Sequence, residues 1–439
     1  MKFRLPHKVQ KILTLLVKNG CRALIAGGAV RDMVAGDHPT DFDIVTNASL
    51  ETIRQIFTGE KVKTVGKSFQ ICLVNGIEIA SFRGERMNFP LTDLKQRDFT
   101  INSMAWDPQT GQIIDPFSGQ QDLKDRIIRF TGDANQRILE DPLRMVRACR
   151  FVSRIKGDFD PLTLDSILTN AGLVKTLVAP ERIRMEILKA MGHDLPSLFF
   201  KALKRTGLLK DIFPSLDRLV ELDGGPFHGE TVFEHSMMTG DALSPKRPLL
   251  RLAGFLHDTG KYDAAEIKEG ILTFHNHEKE LDQVEQDLIN LKFSLREMDY
   301  ILSIISVHMR PLTEETSPRA VRRILALLAA RGLTYKEFMR MRIADKRSNL
   351  AKPHYHLRDI RNRVQKFKDE LEPGGTQAFT PADLAIDGNR IMALLNLGPG
   401  PEVGRIMELL FERVLDDPTL NTPSTLEALA LSFGPGKEP

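Results

Sequence analysis

Hydrophobic and polar positions follow two different patterns along the chain, and the change comes near residue 135. Before that point, short apolar runs alternate with helical patterns, the clearest of them at residues 8–18. The apolar runs have the length of β-strands. Strands are predicted at residues 22–25, 41–45, 71–75, 78–82 and 113–115. The first part of the chain is therefore predicted to be an α/β domain.

Beyond residue 135, apolar residues recur at the three- and four-residue spacing of amphipathic helices. Examples are residues 142–151, 180–191 and 197–205. The rest of the chain is predicted to be almost entirely helical. Two stretches rich in glycine and proline, residues 224–226 and 373–375, are candidate boundaries. The predicted domains are residues 1–134, 135–223, 224–370 and 371–439.

The bulk composition is that of a globular protein with several domains. A chain of 439 residues with 42% hydrophobic and 27% charged residues can bury more than one core. The sequence has no long apolar run and no apolar stretch of signal-peptide type, so a cytoplasmic protein without a membrane partner is expected. Cys21, Cys72 and Cys149 are widely spaced, which argues against a disulfide scaffold and a zinc ribbon.

Basic residues are concentrated in the first half of the chain. Residues 1–220 hold 33 Lys and Arg against 25 Asp and Glu, whereas residues 221–439 hold 28 against 33. If the partner is RNA, its phosphates are expected along the first half. An uneven spread of solvated surface charge explains the same numbers equally well.

A glycine pair and an aspartate pair follow two consecutive predicted strands. Gly27 and Gly28 lie at a strand-to-helix turn, where backbone N–H groups can approach a triphosphate closely. Asp41 and Asp43 are two apart on a strand, so both carboxylates project from one face and can hold two Mg²⁺ ions. Such a pair supports attack of an RNA 3′-hydroxyl on an α-phosphate. Taken alone, two aspartates near a turn are commonplace on protein surfaces.

Asp141 and Arg144 are three residues apart on a predicted helix and therefore share a face. An Asp carboxylate accepts from an exocyclic amine, and Arg donates to ring acceptors. Cytosine and adenine present an amine beside a ring acceptor, whereas guanine and uracil present an oxygen and a ring N–H there. The pair could therefore admit C and A and refuse G and U. A surface ion pair at a helix start is the simpler alternative.

Together with further blocks in the same order, these motifs resemble the class II tRNA nucleotidyltransferase and bacterial poly(A) polymerase family over roughly residues 24–191. The G-G-x-V-R-D run precedes D-x-D, and residues 97–105 are similar to the family's R-R-D-F-T-I-N-A-M-A block, with Gln96 in place of the first arginine and Ser103 in place of an alanine. Residues 140–144 are similar to its E-D-x-x-R block. The resemblance implies an α+β nucleotidyltransferase head of the DNA polymerase β type, followed by an all-α neck, body and HD-type tail.

The resemblance also implies residue roles. Asp41 and Asp43 would be catalytic ligands of Mg²⁺, with Glu181 and Arg182 on a supporting helix. The nucleotide would contact Gly27, Gly28, Arg31, Asp32, Arg97, Asp98, Asn102, Asp141, Arg144, Arg147 and Arg150. The implied partners are the 3′ end and acceptor stem of tRNA, and CTP, joined by ATP where the whole CCA end is made.

One stretch departs from the family. Full CCA-adding enzymes carry a longer flexible loop between the T-F-R strand and the R-R-D block, and here only residues 84–96 occupy that place. Family members that add only two cytidines lack the loop. The resemblance therefore favours a CC-adding enzyme, with a companion A-adding enzyme completing the product.

The second half contains an ordered series of His and Asp residues that resembles the HD metal-dependent phosphohydrolase superfamily. The series is His235, His257, Asp258, His277, His308 and Asp345. These ligands suit a divalent transition metal, and an Asp between two ions could bridge them for attack of activated water on a phosphoester. His275 competes with His277 for one position, although the following Glu278 favours His277. Lys261 could contact a phosphate.

Three alternatives stay open at this stage. A full CCA-adding enzyme using CTP and ATP shares every head motif, and so does a poly(A) polymerase. A rival of another class is an HD phosphohydrolase whose head has become an RNA-binding module, which the intact Asp41 and Asp43 argue against.

Overall fold

The computed structural model describes residues 3–65, 71–81, 90–226, 229–351, 356–371 and 379–434. The chain forms two compact units, Met1–Asp211 and Ile212–Pro439. The first unit contains both the predicted head and most of the predicted neck. The predicted linker at residues 373–375 and residues 84–89 of the short loop at residues 84–96 lie outside the described residues.

A seven-stranded sheet forms the centre of the head, in the order β3-β4-β5-β2-β1-β6-β7. Its strands are β1 (Ala23–Ala26), β2 (Asp43–Thr46), β3 (Val62–Val65), β4 (Ile71–Val74), β5 (Ile77–Ser81), β6 (Ala105–Asp107) and β7 (Gln112–Ile114). Neighbouring strands are antiparallel except β2 and β5, which run parallel with Asp43 opposite Glu78. The sheet thus places Asp43 on a central strand between Ala26 and Glu78.

Five helices pack around this sheet: α1 (His7–Lys18), α2 (Gly28–Ala35), α3 (Leu50–Ile56), α4 (Leu91–Lys95) and α5 (Gly119–Asp125). Helix α1 buries Val9, Ile12, Leu13 and Leu16, the three- and four-residue spacing of an amphipathic helix. These side chains join the head core with apolar residues of β1, β2 and β4. The core holds the sheet rigid, and the β1–α2 turn and the start of β2 lie at one edge of it.

The helical part of the first unit consists of α6 (Ala134–Glu140), α7 (Leu143–Ile155), α8 (Pro161–Asn170), α9 (Leu173–Leu177), α10 (Pro180–Ala190) and α11 (Ser197–Arg205). A short parallel pair, β8 (Ile127–Ile128) and β9 (Asp158–Phe159), accompanies them. Asp133 caps α6 by accepting from the Gln136 N–H at 2.8 Å. Helix α7 packs against α10 and α11 and buries most of its length.

The unit boundary falls within α12 (Leu209–Ile212), and the second unit is mainly helical. Its helices are α13 (Pro214–Asp217), α14 (Val232–Ala242), α15 (Pro248–Leu256), α16 (Asp282–Asn290), α17 (Leu295–Val307), α18 (Pro318–Ala330), α19 (Tyr335–Ser348), α20 (Leu357–Leu371), α21 (Gly388–Leu395), α22 (Pro401–Asp416) and α23 (Pro423–Ser432). Helices α14, α15, α17 and α19 pack on one another. Helices α21 to α23 share a smaller core of their own.

The predicted fold class, an α/β head followed by a mostly helical body, is confirmed. Prediction missed β3 and β6 in the head. It also missed a hairpin in the second unit, β10 (Glu266–Lys268) with β11 (Ile271–Thr273). Within the described residues, no helix has both the length and the apolar character needed to cross a membrane.

Candidate functional site

The turn between β1 and α2 brings the backbone close to Arg97. Gly27 has φ 75°, a left-handed conformation that favours glycine. A Cβ at Gly27 would lie 2.2 Å from Arg97 Nη1, so a side chain there would displace the Arg97 guanidinium. Gly28 begins α2, as predicted from the strand-to-helix pattern. The guanidinium of Arg97 is held in place by Asp93, whose Oδ2 accepts from Nε at 3.2 Å.

Among the described residues, three carboxylates lie at this edge of the sheet. Asp43 begins β2 and is partly buried, whereas Asp41 precedes the strand and is exposed. Strand β2 therefore begins two residues later than predicted. Glu78 on β5 pairs in parallel register with Asp43. Sequence reasoning missed Glu78, because its place beside Asp43 arises from a strand pairing between distant segments.

These carboxylates repel one another. Burial raises the pKa of Asp43, the nearby charges of Asp41 and Asp93 raise it further, and Arg97 opposes them. Burial and the charges of Asp43 and Asp41 likewise raise the pKa of Glu78. Carboxylate oxygens are ligands that Mg²⁺ prefers, and a bound cation would relieve their mutual repulsion. The residues present therefore fit a divalent cation.

A cavity of about 290 Å³ lies beside the carboxylates. It brings together six residues predicted from the sequence, together with Glu78, which was not predicted. The six are Asp43, Arg97, Asp98, Asp141, Arg144 and Arg147. Residues distant in sequence thus surround one space of the size that small-molecule sites occupy.

The structure corrects the prediction that Asp141 lies on a helix with Arg144. Asp141 ends α6 with φ −158° and ψ 97°, an extended conformation, and only Arg144 lies in α7. The following residue is Pro142, and a residue before proline is disfavoured in the helical region. Both side chains still line the same cavity, so the break in the helix keeps them together.

Each of the two side chains already has a partner. Arg182 on α10 donates to both carboxylate oxygens of Asp141, at 3.0 and 2.8 Å. Arg144 Nη1 donates to Glu140 Oε2 at 2.6 Å and to the Arg137 carbonyl at 2.7 Å. Paired contacts of this kind fix the orientation of a carboxylate and a guanidinium. The ion pair that was the alternative to base recognition is therefore present, with Glu140 rather than Asp141 as the acid.

A polar network runs from the head into α7. Asp98 is partly buried and accepts from Asn102 Nδ2 at 2.9 Å and from Arg147 Nε at 2.9 Å. Although burial opposes ionisation, Arg147 and the hydrogen bonds lower the pKa of Asp98. Asn102 Oδ1 accepts from Arg31 Nη1 at 2.7 Å, and Arg31 also donates to Asp32. The head motifs are thus joined by continuous hydrogen bonds.

Not every predicted nucleotide contact lines the cavity. Arg31 and Asp32 face a separate pocket with Arg154. Arg150 is buried, donates from Nε to Glu186 and lies over the Phe151 ring at 4.2 Å. Glu181 is exposed on the first turn of α10. Glu186 also lies 3.9 Å from Arg147, so the Arg150–Glu186 pair contacts a residue that lines the cavity.

The predicted His and Asp residues of the second unit meet in one buried cluster. Two groups share Asp258: one contains His235 and His257, the other His277 and His308. Asp258 Oδ2 lies 3.2 Å from His257 Nε2, and its Oδ1 lies 3.1 Å from His277 Nε2. Asp345 Oδ1 lies 3.1 Å from His235 Nε2. Asp258 thus occupies the position of a bridge between two sets of ligands.

The rings are oriented by the backbone. The Nδ1 atoms of His257 and His277 each lie 2.9 Å from a carbonyl, of Gly254 and Phe274, and His308 Nδ1 lies 2.6 Å from the Ile305 carbonyl. Each contact fixes Nδ1 as the donor and leaves Nε2 directed at the cluster, the usual outer-shell arrangement of metal-binding histidines. Three imidazoles and two carboxylates oriented this way fit a divalent transition metal.

The electrostatics of the cluster depend on burial. Burial, together with the charges of His257 and His277, lowers the pKa of His308 to about 3. Burial opposes ionisation of Asp258, yet His257 and Lys261 hold its pKa well below the usual range. Lys261 Nζ lies 2.8 Å from Asp258 Oδ2, so this lysine is occupied by the cluster itself. His277 lies in the cluster, and His275 lines the adjoining cavity.

Comparison with known proteins bears on both units. Residues 23–129 match the sequence profile described as Poly A polymerase head domain, and residues 158–219 match the one described as Probable RNA and SrmB-binding site of polymerase A. The chain is 30% identical over 416 residues to the A-adding tRNA nucleotidyltransferase of Deinococcus radiodurans, covering 89% of this chain and 91% of the relative.

Two further similarities are narrower. The CC-adding tRNA nucleotidyltransferase of Shouchella clausii is 36% identical over 207 residues, which cover 46% of this chain and 53% of the relative. The crystal structure of the Bacillus stearothermophilus CCA-adding enzyme in complex with CTP superimposes with a TM-score of 0.70 over 98% of each chain, at 22% identity. At that identity, the likeness shows the fold alone.

A sheet edge with clustered carboxylates beside a glycine turn, followed by helices that complete the cavity, defines a nucleotidyltransferase of the DNA polymerase β type. The similarity over nearly the whole of the Deinococcus relative narrows the class further. The chain belongs to the class II tRNA nucleotidyltransferase family, as the motif order predicted.

Proposed function

We propose that the chain transfers cytidylyl groups from CTP to the 3′ end of tRNA and stops after two. The observation that carries the reaction type is the cavity in which Asp43, Glu78 and Arg97 meet Asp141 and Arg144. Acidic ligands, a phosphate-binding cation and base-recognising groups are the three parts that untemplated nucleotidyl transfer requires.

Each part has a proposed role in the reaction. Asp41 and Asp43 would hold the magnesium ions, with Glu78 beside them. Bound magnesium would lower the pKa of the RNA 3′-hydroxyl and stabilise the leaving group. The hydroxyl loses its proton to solvent and its oxygen forms a bond to the α-phosphorus of CTP. The α–β phosphoanhydride bond breaks, and pyrophosphate leaves with the bonding electrons. Arg97 and the Gly27 turn lie where they can hold the triphosphate.

Base choice is proposed to depend on Asp141 and Arg144. The Asp141 carboxylate, oriented by Arg182, would accept from the N4 amine of cytosine. Arg144, anchored by Glu140, would donate to ring N3. Asp98, which lines the cavity, and Asn102, which donates to it, are proposed to orient the ribose end of the site through Arg147.

The proposal of a CC product comes from the short segment at residues 84–96. The test is extension of three tRNA substrates, ending at the discriminator base, after one C and after CC, with CTP and ATP both present. A CC-adding enzyme extends the first two to CC and leaves the third unchanged. A separate A-adding activity would then have to complete the end.

A second candidate has its own support, because the relative similar over nearly its whole length is named an A-adding enzyme. An A-adding enzyme would extend only the tRNA ending in CC, and by one A. Full CCA addition would extend all three substrates to CCA. Long A tails on a generic RNA would indicate a poly(A) polymerase.

We further propose that the buried cluster binds a divalent transition metal and that the second unit hydrolyses a phosphoester there. The support is the convergence of His235, His257, His277 and His308 on Asp258. His257→Ala should remove the cluster metal and any phosphohydrolase activity while leaving nucleotide addition intact. Metal content by mass spectrometry and both activities should be measured on the same sample. Loss of both activities together would contradict separate sites.

A further inference from the structure

A cavity of about 440 Å³ adjoins the His and Asp cluster. One wall consists of cluster residues, among them Asp258, His277, His308 and Asp345. The lining also includes Leu272 and Thr273 at the end of β11, the following Phe274, and Met309. The space therefore leads directly to the proposed metal ligands, and its volume lies in the range of small-ligand sites.

Arg342 lines this cavity one helical turn before Asp345 on α19. Its Nη1 donates to the His308 carbonyl at 2.9 Å, which fixes the guanidinium beside a cluster residue. No carboxylate of the described residues forms an ion pair with Arg342, and its remaining N–H donors have no hydrogen-bond acceptor among them. Lys261, by contrast, is neutralised by Asp258 at 2.8 Å.

A half-buried guanidinium without an anionic partner is costly, because its desolvation is not offset by an ion pair. The neighbouring carboxylates, Asp258 and Asp345, are already engaged by histidines and Lys261. An anion that enters the cavity would supply this missing partner. A planar, permanently charged donor suits a phosphate with two oxygens facing the fork.

We propose that Arg342 is the phosphate-binding residue of this cavity and that the ligand is a nucleotide-sized phosphate ester. The proposal rests on the metal-binding function proposed above for the cluster. Arg342 would hold two phosphate oxygens while the phosphorus lies next to Asp258 and the ester group rests against Phe274. Arg342 is then a specificity residue for phosphate over uncharged ligands, and the cluster ligands keep a separate role.

The test uses the full-length chain loaded with Mn²⁺ and inorganic phosphate as the probe, with binding measured by calorimetry. The His257→Ala variant should lack the cluster metal, so the metal and phosphate binding that it retains is that of the head. This signal is subtracted from that of the unmodified chain. Arg342→Ala should bind phosphate about tenfold more weakly or worse, the loss expected for charge-assisted hydrogen bonds. Arg342→Lys should recover part of the affinity, because it restores the charge without the fork.

Arg347→Ala is the matched control, since Arg347 lies on the same helix, is exposed and does not line the cavity. It should bind phosphate like the unmodified chain. Manganese content and circular dichroism are measured on every variant, and Arg342→Ala should retain both.

The outcomes separate the two proposals. Unmodified chain that takes up no manganese at the cluster overturns the proposed metal site and this inference with it. Chain that binds manganese but no phosphate, or Arg342→Ala that binds phosphate like the unmodified chain, overturns this inference alone. Loss of manganese in Arg342→Ala would also overturn it, because Arg342 would then be a support of the cluster.

Discussion

The two units hold their proposed metal ligands in opposite ways. In the head, the ligands are carboxylates only, and Asp41 and Glu78 are exposed at a sheet edge. In the second unit, histidines and aspartates form a cluster in which His257 is fully buried and Asp258 is 2% exposed. Hard oxygen ligands suit magnesium, and mixed nitrogen and oxygen ligands suit transition metals. On the proposed assignments, the two sites would differ in the metal that they bind because their ligands differ in chemistry.

Access differs as well. An RNA 3′ end is a bulky substrate, and an open sheet edge lets it approach Asp43 together with a nucleotide. The cluster is reached through a cavity of about 440 Å³, which admits a group of nucleotide size but no folded RNA. The two sites also differ in preorganisation. In the cluster, backbone carbonyls orient the histidine rings, whereas in the head the carboxylates repel one another until a cation binds.

The largest expected effect is in the head. Asp43→Asn removes one charge from the proposed magnesium site without changing the shape of β2, so nucleotide addition should fall by about a thousandfold. Transition-metal content of the second unit should stay unchanged. The measurement is single-nucleotide extension of tRNA with CTP, alongside metal analysis.

Asp125→Asn is the control for this prediction, because Asp125 is an exposed carboxylate of the same unit whose hydrogen bond comes from Gln121. It should extend tRNA at the normal rate. If Asp43→Asn kept most of its activity, the carboxylates at the sheet edge would not be the catalytic centre. The comparison between the head site and the cluster of the second unit would then fail.

Substitution of Arg144 should have a smaller effect than substitution of Asp43, and the effect should be on base selection. Arg144→Ala removes the proposed donor to ring N3 while Asp141 stays oriented by Arg182, so preference for CTP over UTP should fall by about tenfold. The ratio of kcat/KM values for the two nucleotides measures it. Lys175→Ala, an exposed cation on α9, should keep the original ratio. An unchanged ratio in Arg144→Ala would leave the Glu140 ion pair as the role of this arginine.

The sequence predicts some features of the fold and of the head site and misses others. The Gly27 turn and the helix after it followed from local pattern, because the glycines mark a strand-to-helix turn. Asp141 was placed on a helix, although the proline after it carried the opposite signal. The hairpin of β10 and β11 was missed because its strands are three residues long and largely exposed, which removes the alternation that reveals strands.

The residues that sequence reasoning did not find are those defined by distant contacts. Glu78 belongs to the head site only because β2 and β5 pair in parallel. Arg342 belongs to the second cavity because α19 packs beside the end of α17, where His308 lies. Spacing along the chain encodes the faces of one helix or strand, whereas register between elements depends on the packing of the whole unit.

The smallest expected effect is on the stability of the second unit. It concerns Asp287, a carboxylate with a raised pKa that is not proposed to bind a ligand. Burial raises the pKa of Asp287 on α16 to about 6, although the Ser215 N–H donates to it at 3.0 Å. The folded pKa exceeds the unfolded one, so the folded state binds more protons between about pH 4 and 6, and stability falls as pH rises through that range. Above it, the buried charge costs at most about 3 kcal/mol.

Asp287→Asn removes that charge and keeps an acceptor for Ser215, so it should stabilise the second unit by about 1–2 kcal/mol at pH 7.5 and leave it unchanged at pH 4. Calorimetric unfolding at both pH values measures the difference, and Asp299→Asn, an exposed carboxylate of the same unit, should have no effect at either pH. An equal gain at both pH values would mean that packing, not charge, is the cause.

Asp43 and Asp287 both have raised pKa values, but only Asp43 has other carboxylates beside it and a cavity at its side. A cation should therefore relieve the cost at Asp43, whereas at Asp287 only neutralisation of the carboxylate can.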